Sequence, residues 1–113
     1  MKKTLAVIVP CYNEEKNIKV FYDRLIETIK HLDVEYKIYF IDDGSKDNTW
    51  QVIKNLKIED NNINAIKLSR NFGHQSAISA GIKKAEADYV AFLDVDLQDP
   101  PELIKEMFEK MIL

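Results

Sequence analysis

Several features that mark particular protein classes are scarce or missing in this sequence. It holds one cysteine, Cys11, so it can form neither an internal disulfide nor a cysteine-based zinc site, as is typical of a reducing compartment. Its three glycines and three prolines form no linker, and no internal repeat is present. Neither the dinucleotide-binding nor the P-loop glycine motif occurs. These absences argue against a disulfide-stabilised domain, a dehydrogenase and a P-loop enzyme.

Long hydrophobic runs and an excess of positive charge are also missing. The longest apolar stretches, near residues 5–9 and 90–93, are far shorter than the roughly 20 residues that a membrane helix requires. The 16 Lys and Arg residues are interspersed among 19 Asp and Glu residues, for a net charge of −3. We therefore expect no membrane-spanning segment, no secretory leader, no nucleic-acid partner and a cytoplasmic location.

Hydrophobic periodicity divides the chain into alternating strands and helices around one modest core. Strands are expected in four short apolar runs, at 4–9, 35–41, 63–68 and 89–93. Helices are expected in the amphipathic stretches between and after these runs, from Glu14 onward, through 50–56, at 74–85 with Ile78 and Ile82 inward, and from about Pro100. Such alternation implies right-handed parallel crossovers, and therefore an α/β sheet with helices on both faces.

Two of the predicted helices begin with capping residues. Asp47 or Ser45 is expected to cap the second helix. At the last helix, Asp99 can accept hydrogen bonds from first-turn amides, Pro100 loses no needed donor, and Glu102 completes a capping box.

Four polar clusters each follow the carboxyl end of a predicted strand. They are the segments 10–14, 42–45, 69–73 and 94–98. In open α/β sheets this edge is where ligands bind, so we expect the four clusters to share one site.

Asp94 and Asp96 are the strongest candidate for metal chemistry. Residues two apart in an extended segment project to the same side, so both carboxylates can reach one ion. Their hard oxygens suit Mg²⁺ or Mn²⁺, and Gln98 can add a neutral oxygen. The alternative is that two aspartates simply end a strand and begin a turn.

The other clusters carry candidates for nucleoside recognition. Adjacent Asp42 and Asp43 can accept hydrogen bonds from the N–H groups of uracil or guanine, whereas the alternative is an Asx turn with a helix cap. Tyr12 and Glu14 can stack on a base and bond a ribose, or serve as a packed aromatic and a helix-start acid. Cys11 is interpreted as a small packed residue.

Four motifs, in this order and spacing, resemble family-2 glycosyltransferases of the GT-A fold. They are VIVPCYNE at 7–14, IDDGS at 41–45, RNFGHQ at 70–75 and DVDLQDPPE at 94–102. The last two are most similar to the polyprenyl-phosphate branch, the bactoprenol-phosphate glucosyltransferases and dolichyl-phosphate mannose synthases. The resemblance implies the N-terminal half of a three-layer, Rossmann-like nucleotide-diphospho-sugar transferase, with a mainly parallel sheet and its first and fourth strands adjacent.

The resemblance also implies a UDP- or GDP-linked sugar donor and roles for particular residues. The nucleotide would contact Pro10, Tyr12, Glu14, Asp42, Asp43 and Asp94. Mg²⁺ or Mn²⁺ would be held by the catalytic pair Asp94 and Asp96, with Gln98. Arg70 and His74 match the branch motif and would shape the sugar or phosphate pocket.

The reaction that the resemblance implies is an inverting sugar transfer, with the metal ion stabilising the departing diphosphate. The acceptor would be a lipid phosphate, at the cytoplasmic face of a membrane in the full-length enzyme. Relatives continue past the Asp-x-Asp segment, so residues 1–113 are expected to be the donor-binding part, with little or no transfer activity alone. An exposed sheet edge after the fourth strand would favour self-association.

Two other functions fit parts of the same pattern. A phosphoacceptor receiver domain has a similar size, but its paired acids follow the first strand, where this chain has Pro-Cys-Tyr-Asn-Glu. A noncatalytic nucleotide-binding or assembly module would keep the donor pocket without transferring sugar.

Overall fold

A computed structural model describes residues 2–96 and 100–111 of the chain, where strands and helices alternate. The elements are β1 (Lys3–Cys11), α1 (Ile18–Ile29), β2 (Val34–Asp42), α2 (Thr49–Glu59), β3 (Ile63–Lys67), α3 (His74–Lys84), β4 (Tyr89–Phe92) and α4 (Leu103–Met111). The predicted cap Asp99 and the predicted ligand Gln98 lie outside the described residues. Among the described residues, no helix has the length and apolar character needed to cross a membrane.

The four strands form one parallel sheet in the order β3-β2-β1-β4. The chain builds outward from β1 through β2 to β3 and then returns to place β4 on the other side of β1. Strand order therefore reverses between β1 and β4, and a crevice is expected at the carboxyl ends of these two strands. The adjacency of the first and fourth strands is confirmed.

Helices cover both faces of the sheet, which confirms the three-layer α/β architecture. One face packs against α1, α2 and α4 and buries the larger core, including Phe21, Phe40 and Ile104. The other face packs against α3 through Ala77. Alternate residues of the strands supply the two cores, because successive side chains point to opposite faces.

The close approach of α3 to the sheet corrects the prediction for Ile82. A Cβ on Gly81 would lie 2.6 Å from Ile8 Cγ2 and 2.9 Å from Ile41 Cδ1, so the sheet contacts the helix backbone there. The small residues Ala77 and Gly81 face the sheet, while Ile82 is 47% exposed. Helical periodicity favours the larger side chain as the inward one, and that prediction is wrong.

Two helices begin later than the sequence predicts, because a tight turn precedes each. The Glu14 carbonyl accepts from the amides of Asn17 at 2.9 Å and Ile18 at 3.2 Å, and α1 begins at Ile18. Before α4, the Leu103 amide donates to the Pro100 carbonyl at 2.9 Å, an i to i−3 bond that the tighter 3₁₀ turn uses.

Glu102 takes a different partner from the predicted capping box. Its carboxylate receives a two-pronged hydrogen bond from the Arg24 guanidinium, with Arg24 Nε 3.0 Å from Oε2. This ion pair joins α1 to the turn before α4. Paired N–H donors match the carboxylate geometry, so the contact fixes orientation as well as charge.

A partly buried polar cluster near the amino ends of β2 and β3 holds α1 to the sheet. Asp60 Oδ2 accepts from the hydroxyls of Tyr22 and Tyr36, at 2.7 Å each, and Asp60 Oδ1 accepts from the Asn62 amide at 2.9 Å. Burial by itself would raise the pKa of Asp60, but the hydrogen bonds from Tyr22, the Asn62 amide and Tyr36 outweigh burial and lower that pKa.

Replacing Tyr22 by phenylalanine is expected to lower the free energy of unfolding at pH 7 by about 1 kcal/mol, the usual net worth of one hydrogen bond. Asp60 contributes stability above the unfolded carboxyl pKa, and that contribution is lost as pH falls through the lowered folded pKa. Urea unfolding at pH 7 and near pH 3 should therefore show a smaller deficit in acid. The control Tyr12→Phe should change stability little, and an equal Tyr22→Phe deficit at both pH values would contradict this account.

Candidate functional site

A crevice lies at the carboxyl ends of β1 and β4, where strand order reverses, and it has two adjoining parts. The Asp43 cavity, of about 320 Å³, is lined by Pro10, Cys11, Tyr12, Asp43, Asn71, Gly73 and His74. The acidic cavity, of about 210 Å³, is lined by Pro10, Tyr12, Glu14, His74, Asp94, Val95 and Asp96. Pro10, Tyr12 and His74 line both, so the two cavities form one continuous crevice.

Asp94 and Asp96 reach the acidic cavity through a turn. The strand β4 ends at Phe92, and Val95 and Asp96 form a turn after it. Val95 is 2% exposed and packs into the core, which anchors the segment between the two carboxylates. The sequence predicts that both carboxylates share one side of an extended segment; they do line one cavity, but the backbone that brings them there is bent.

His74 and Glu14 complete the polar surroundings of the acidic cavity. His74 is the first residue of α3, and its Nε2 lies 3.6 Å from Asp94 Oδ1. Glu14 Oε2 accepts from the side-chain amide of Asn17 at 2.9 Å, which orients the carboxylate. The adjacency of β1 and β4 therefore brings Glu14 and Asp94 to the same cavity.

The donor set of the acidic cavity suits a hard divalent cation only with help from another ligand. Within 2–96 and 100–111, no three His, Cys, Asp or Glu side chains are grouped so that they could hold a metal ion. Carboxylate oxygens are the ligands that Mg²⁺ and Mn²⁺ take, and such ions commonly complete their coordination with substrate phosphates and water. Asp94 and Asp96 thus fit a site that a phosphate-bearing ligand would complete.

Asp43 lines its cavity and also holds the turn between β3 and α3. Its Oδ1 accepts from the Phe72 amide at 2.8 Å, and its Oδ2 accepts from the Gly73 amide at 3.0 Å and from the Asn71 side chain at 3.3 Å. An ionised carboxylate offers about four acceptor positions, so it can still receive a donor from a ligand. No local pattern indicates the contact to Asn71, because the partners are far apart along the chain.

Asp42 lies behind the crevice and lines neither cavity. It is 1% exposed, its Oδ1 accepts from the Ser45 amide at 3.0 Å, and its Oδ2 is buried without a hydrogen-bond partner. The Ser45 contact spans three residues, one more than the Asx turn that the sequence offered as the alternative, so Asp42 holds the loop after β2 in a different way. Cys11, its partner in the sheet register, is 2% exposed, which confirms it as a packed residue.

Burial and the negative charge around this edge both act on the pKa of Cys11. Burial raises the pKa of the Cys11 thiol well above its usual value, and the charges of Asp42, Glu14 and Asp94 raise it further. The thiol is therefore held protonated and unreactive, since only the thiolate is a nucleophile.

Replacing Asp42 by asparagine is expected to raise the free energy of unfolding by about 1 kcal/mol, because at this buried position, where Oδ2 has no partner, a neutral amide costs less to bury than a carboxylate. The asparagine side chain would keep an oxygen for the Ser45 amide. The matched change Asp43→Asn should lower stability instead, since both Asp43 oxygens accept backbone amides. Urea unfolding of the two variants measures both effects, and a destabilised Asp42→Asn chain would contradict this interpretation.

Arg70 and the predicted caps of α2 have local partners. The Arg70 guanidinium lies 4.4 Å from the centre of the Phe72 ring, and Arg70 lines neither cavity. Asp47, one of the two caps predicted for α2, accepts from the Thr49 amide at 2.9 Å. Ser45, the other, accepts from the Asn13 amide at 2.8 Å and so joins two loops.

Comparison with known protein families gives one match across nearly the whole chain. The model of the family described as Glycosyl transferase family 2 matches residues 6–112. Among curated relatives, the undecaprenyl-phosphate 4-deoxy-4-formamido-L-arabinose transferase of Proteus mirabilis is 43% identical over 104 residues. The match covers 91% of this chain and 32% of that relative, so the chain spans about a third of the relative's length.

Solved structures with the same fold include two that hold sugar nucleotides. The mannosyltransferase PcManGT from Pyrobaculum calidifontis, in complex with GDP-Man and Mn²⁺, superposes with a TM-score of 0.75 at 21% identity, over 85% of this chain and 28% of that one. Staphylococcus aureus TarS 1-349, in complex with UDP-GlcNAc, gives a TM-score of 0.71 at 30% identity, over 94% of this chain and 32% of that one.

Proposed function

The chain belongs to glycosyltransferase family 2, and on that premise we propose that it is the N-terminal, donor-binding part of a metal-dependent, inverting glycosyltransferase. The donor is a nucleoside diphosphate sugar, UDP- or GDP-linked, and the acceptor is a polyprenyl phosphate. The observation that carries the proposal is the two-part crevice. The Asp43 cavity is lined by one acidic residue, and it adjoins the acidic cavity, which is lined by three acidic residues.

The Asp43 cavity is the proposed nucleoside subsite. Its volume, about 320 Å³, falls in the range of small-ligand pockets. Tyr12 on its wall is 42% exposed, so its ring is available for stacking on a base. The carboxylate of Asp43, with an acceptor position left after holding the turn, would take a base N–H, and buried Asp42 would act through the loop it orders.

The acidic cavity is the proposed diphosphate subsite. Asp94 and Asp96 would hold Mg²⁺ or Mn²⁺ together with diphosphate oxygens, and Gln98 remains a predicted additional ligand. The fold likeness to PcManGT, which is in complex with GDP-Man and Mn²⁺, supports this assignment. Glu14 would contact the ribose, while His74, and Arg70 farther out, would border the sugar.

The proposed reaction is a single displacement at the anomeric carbon. The bond from that carbon to the diphosphate oxygen breaks, its electron pair leaves with the diphosphate, and an acceptor oxygen forms the new bond on the opposite face. A bound divalent ion supplies Lewis-acid stabilisation of the charge that grows on the leaving group. A phosphate acceptor is already anionic, so this chain's residues need only orient the donor and no general base is required of them.

The lipid-phosphate acceptor is proposed from the relative's name, which refers to undecaprenyl phosphate. A lipid acceptor would place the reaction of the whole enzyme at a membrane surface. Because the match spans 32% of that relative, acceptor recognition is proposed for the whole enzyme and not for the residues of the crevice.

Association between copies through β4 is a further part of the proposal. In the described sheet, β4 is an edge strand, and Phe92 on it is 46% exposed. Unpaired backbone groups on an edge can pair with a second chain. Sedimentation should show a mass that rises with concentration, and a monomer at every concentration would contradict this part of the proposal.

Calorimetric titration of the chain with UDP and with GDP, each with and without Mn²⁺, tests the proposed function. At least one nucleotide should bind, and Mn²⁺ should tighten that binding. Failure of both nucleotides to bind at millimolar concentration in the presence of Mn²⁺ would overturn the proposal. Added sugar nucleotide and polyprenyl phosphate should give little transfer by this chain alone.

A further inference from the structure

Asn13 has an unusual backbone conformation beside the crevice. Its φ is +54°, and within residues 2–96 and 100–111 it is the one non-glycine residue with positive φ. This left-handed region is unfavourable for most L-residues but is tolerated by asparagine. Such a conformation persists only where surrounding contacts hold it, and it is found preferentially at functional sites.

The contacts that hold it form a reciprocal pair, which we call the loop clamp: Asn13 with Ser45 and Lys46. The Asn13 amide donates to Ser45 Oγ at 2.8 Å, and the Lys46 amide donates to Asn13 Oδ1 at 2.8 Å. The next amide, that of Glu14, donates to Thr49 Oγ1 at 2.8 Å. Successive amides of the loop after β1 are therefore satisfied by the loop after β2 and by the first residue of α2.

The loop clamp lies between two residues that line the crevice. Tyr12 borders both cavities and Glu14 borders the acidic one, and Asn13 joins them. The backbone angles of Asn13 set the direction of one relative to the other. Tyr12 is 42% exposed, so packing restrains its side chain little and its place depends on this backbone.

We infer that Asn13 is a positioning residue for the donor: it acts through Tyr12 and Glu14, whose geometry its loop clamp fixes before the ligand binds. The identity of the ligand rests on the proposed function. A clamped loop has less freedom to lose on binding, so affinity is gained without a contact to Asn13 itself. Asn13 is exposed and glycine reaches its φ without strain, so we expect Asn13→Gly to change the stability of the fold only slightly.

Three substitutions separate this role from a purely structural one. Asn13→Gly keeps the positive φ accessible but removes the acceptor for Lys46. Asn13→Asp keeps an acceptor oxygen and tolerates the same φ. Asn48→Ala is the matched control, because Asn48 lies in the loop after β2 and its side chain makes no capping hydrogen bond to α2.

The expected results combine affinity, stability and local order. For Asn13→Gly, the affinity for UDP or GDP with Mn²⁺ should fall about tenfold, because the loop must be re-ordered when the nucleotide binds. The urea midpoint should stay close to that of the wild type. NMR order parameters of the Tyr12 and Glu14 amides should fall in the free chain. Asn13→Asp should restore affinity and order, and Asn48→Ala should match wild type.

Two outcomes overturn the inference, and they differ from failure of the proposed function. Unchanged order at Tyr12 and Glu14 in Asn13→Gly would show that the loop clamp does not position them, whether or not any nucleotide binds. Wild-type affinity in Asn13→Gly, despite reduced order, would show that positioning does not matter to the ligand. If wild type binds neither nucleotide, the proposed function fails and the inference about the donor fails with it, while reduced order would still establish the clamp.

Discussion

Replacing Gly44 by alanine is expected to lower the free energy of unfolding by about 3 kcal/mol or more, and the melting temperature by about 10 °C. Gly44 has φ +74°, and a Cβ there would lie 2.3 Å from both the carbonyl carbon of Arg70 and the amide nitrogen of Asn71. These are backbone atoms, which cannot rotate away as a side chain can. The two loops must separate or the backbone of Gly44 must change.

The damage should reach the crevice as well as the fold. Separating the loops would pull the amides of Phe72 and Gly73 away from Asp43, which both holds the turn and lines the Asp43 cavity. Folded Gly44→Ala protein should therefore bind nucleotide more weakly than wild type. Thermal and urea unfolding, followed by titration well below the melting temperature, measure the two effects separately.

Gly73→Ala is the control for this prediction. Gly73 also has positive φ, at +104°, but nothing lies within 4 Å of a Cβ placed there. With ψ at 161°, Gly73 lies in a region that is essentially restricted to glycine, so its substitution should cost backbone strain alone, about 1–3 kcal/mol, whereas Gly44→Ala adds a clash to its strain. If the two alanine variants lost equal stability, the contact between Gly44 and the loop after β3 would not be the cause of the larger loss.

Replacing Asp94 or Asp96 by asparagine is expected to weaken nucleotide binding in the presence of Mn²⁺ about 100-fold, or about 2.7 kcal/mol. Each change removes one of the two carboxylates proposed to hold the ion. Asp94 is partly exposed and Asp96 is exposed, so the fold should keep its stability. Binding in the absence of Mn²⁺ should change little.

The measurement is a pair of dissociation constants, with Mn²⁺ and with EDTA, for each variant. Glu86→Gln is the matched control, since Glu86 is an exposed acid before β4 that lines neither cavity. It removes the same charge without touching the proposed site. An equal loss in Glu86→Gln would indicate a general electrostatic effect, and an equal loss with EDTA would place the two aspartates outside any metal site.

Much of the fold can be predicted from the local sequence, because the strands and helices have clear hydrophobic periods and clear ends. The predicted strands at 4–9 and 35–41 match β1 and β2 to within two residues at each end. The face of α3 that packs on the sheet could not be predicted from local pattern. Gly81 faces the sheet, although Ile82 beside it is the more hydrophobic residue. Local pattern also starts two helices too early, since neither apolar periodicity at α1 nor a cap signal at α4 distinguishes an α turn from a tighter one.

The site could be placed at one sheet edge but not resolved residue by residue. Asp42 and Asp43 are adjacent and chemically alike, yet one is buried behind the crevice and the other lines it. Strand residues alternate between faces, so which acid faces the ligand depends on the register at the strand end. The hydrogen-bond partners of Asp43 lie near residue 72, far along the chain, so they come next to Asp43 only when the chain folds.

The competing receiver-domain hypothesis is excluded by the family match over residues 6–112. The sequence after β1 also disfavours it, because Tyr12 and Glu14 stand there in place of paired acids. A noncatalytic module with the same crevice differs from an enzyme only in its reaction with an acceptor.

Paramagnetic broadening of backbone NMR signals by Mn²⁺, in the presence of UDP or GDP, tests the central claim most directly. In this account, the acidic pair at the β1–β4 crevice holds the ion, and a nucleoside diphosphate completes the coordination of that ion. The strongest broadening should therefore centre on Asp94 and Asp96 and extend to Glu14 and His74. Broadening that is centred elsewhere, or that is unchanged in Asp96→Asn, would contradict the account.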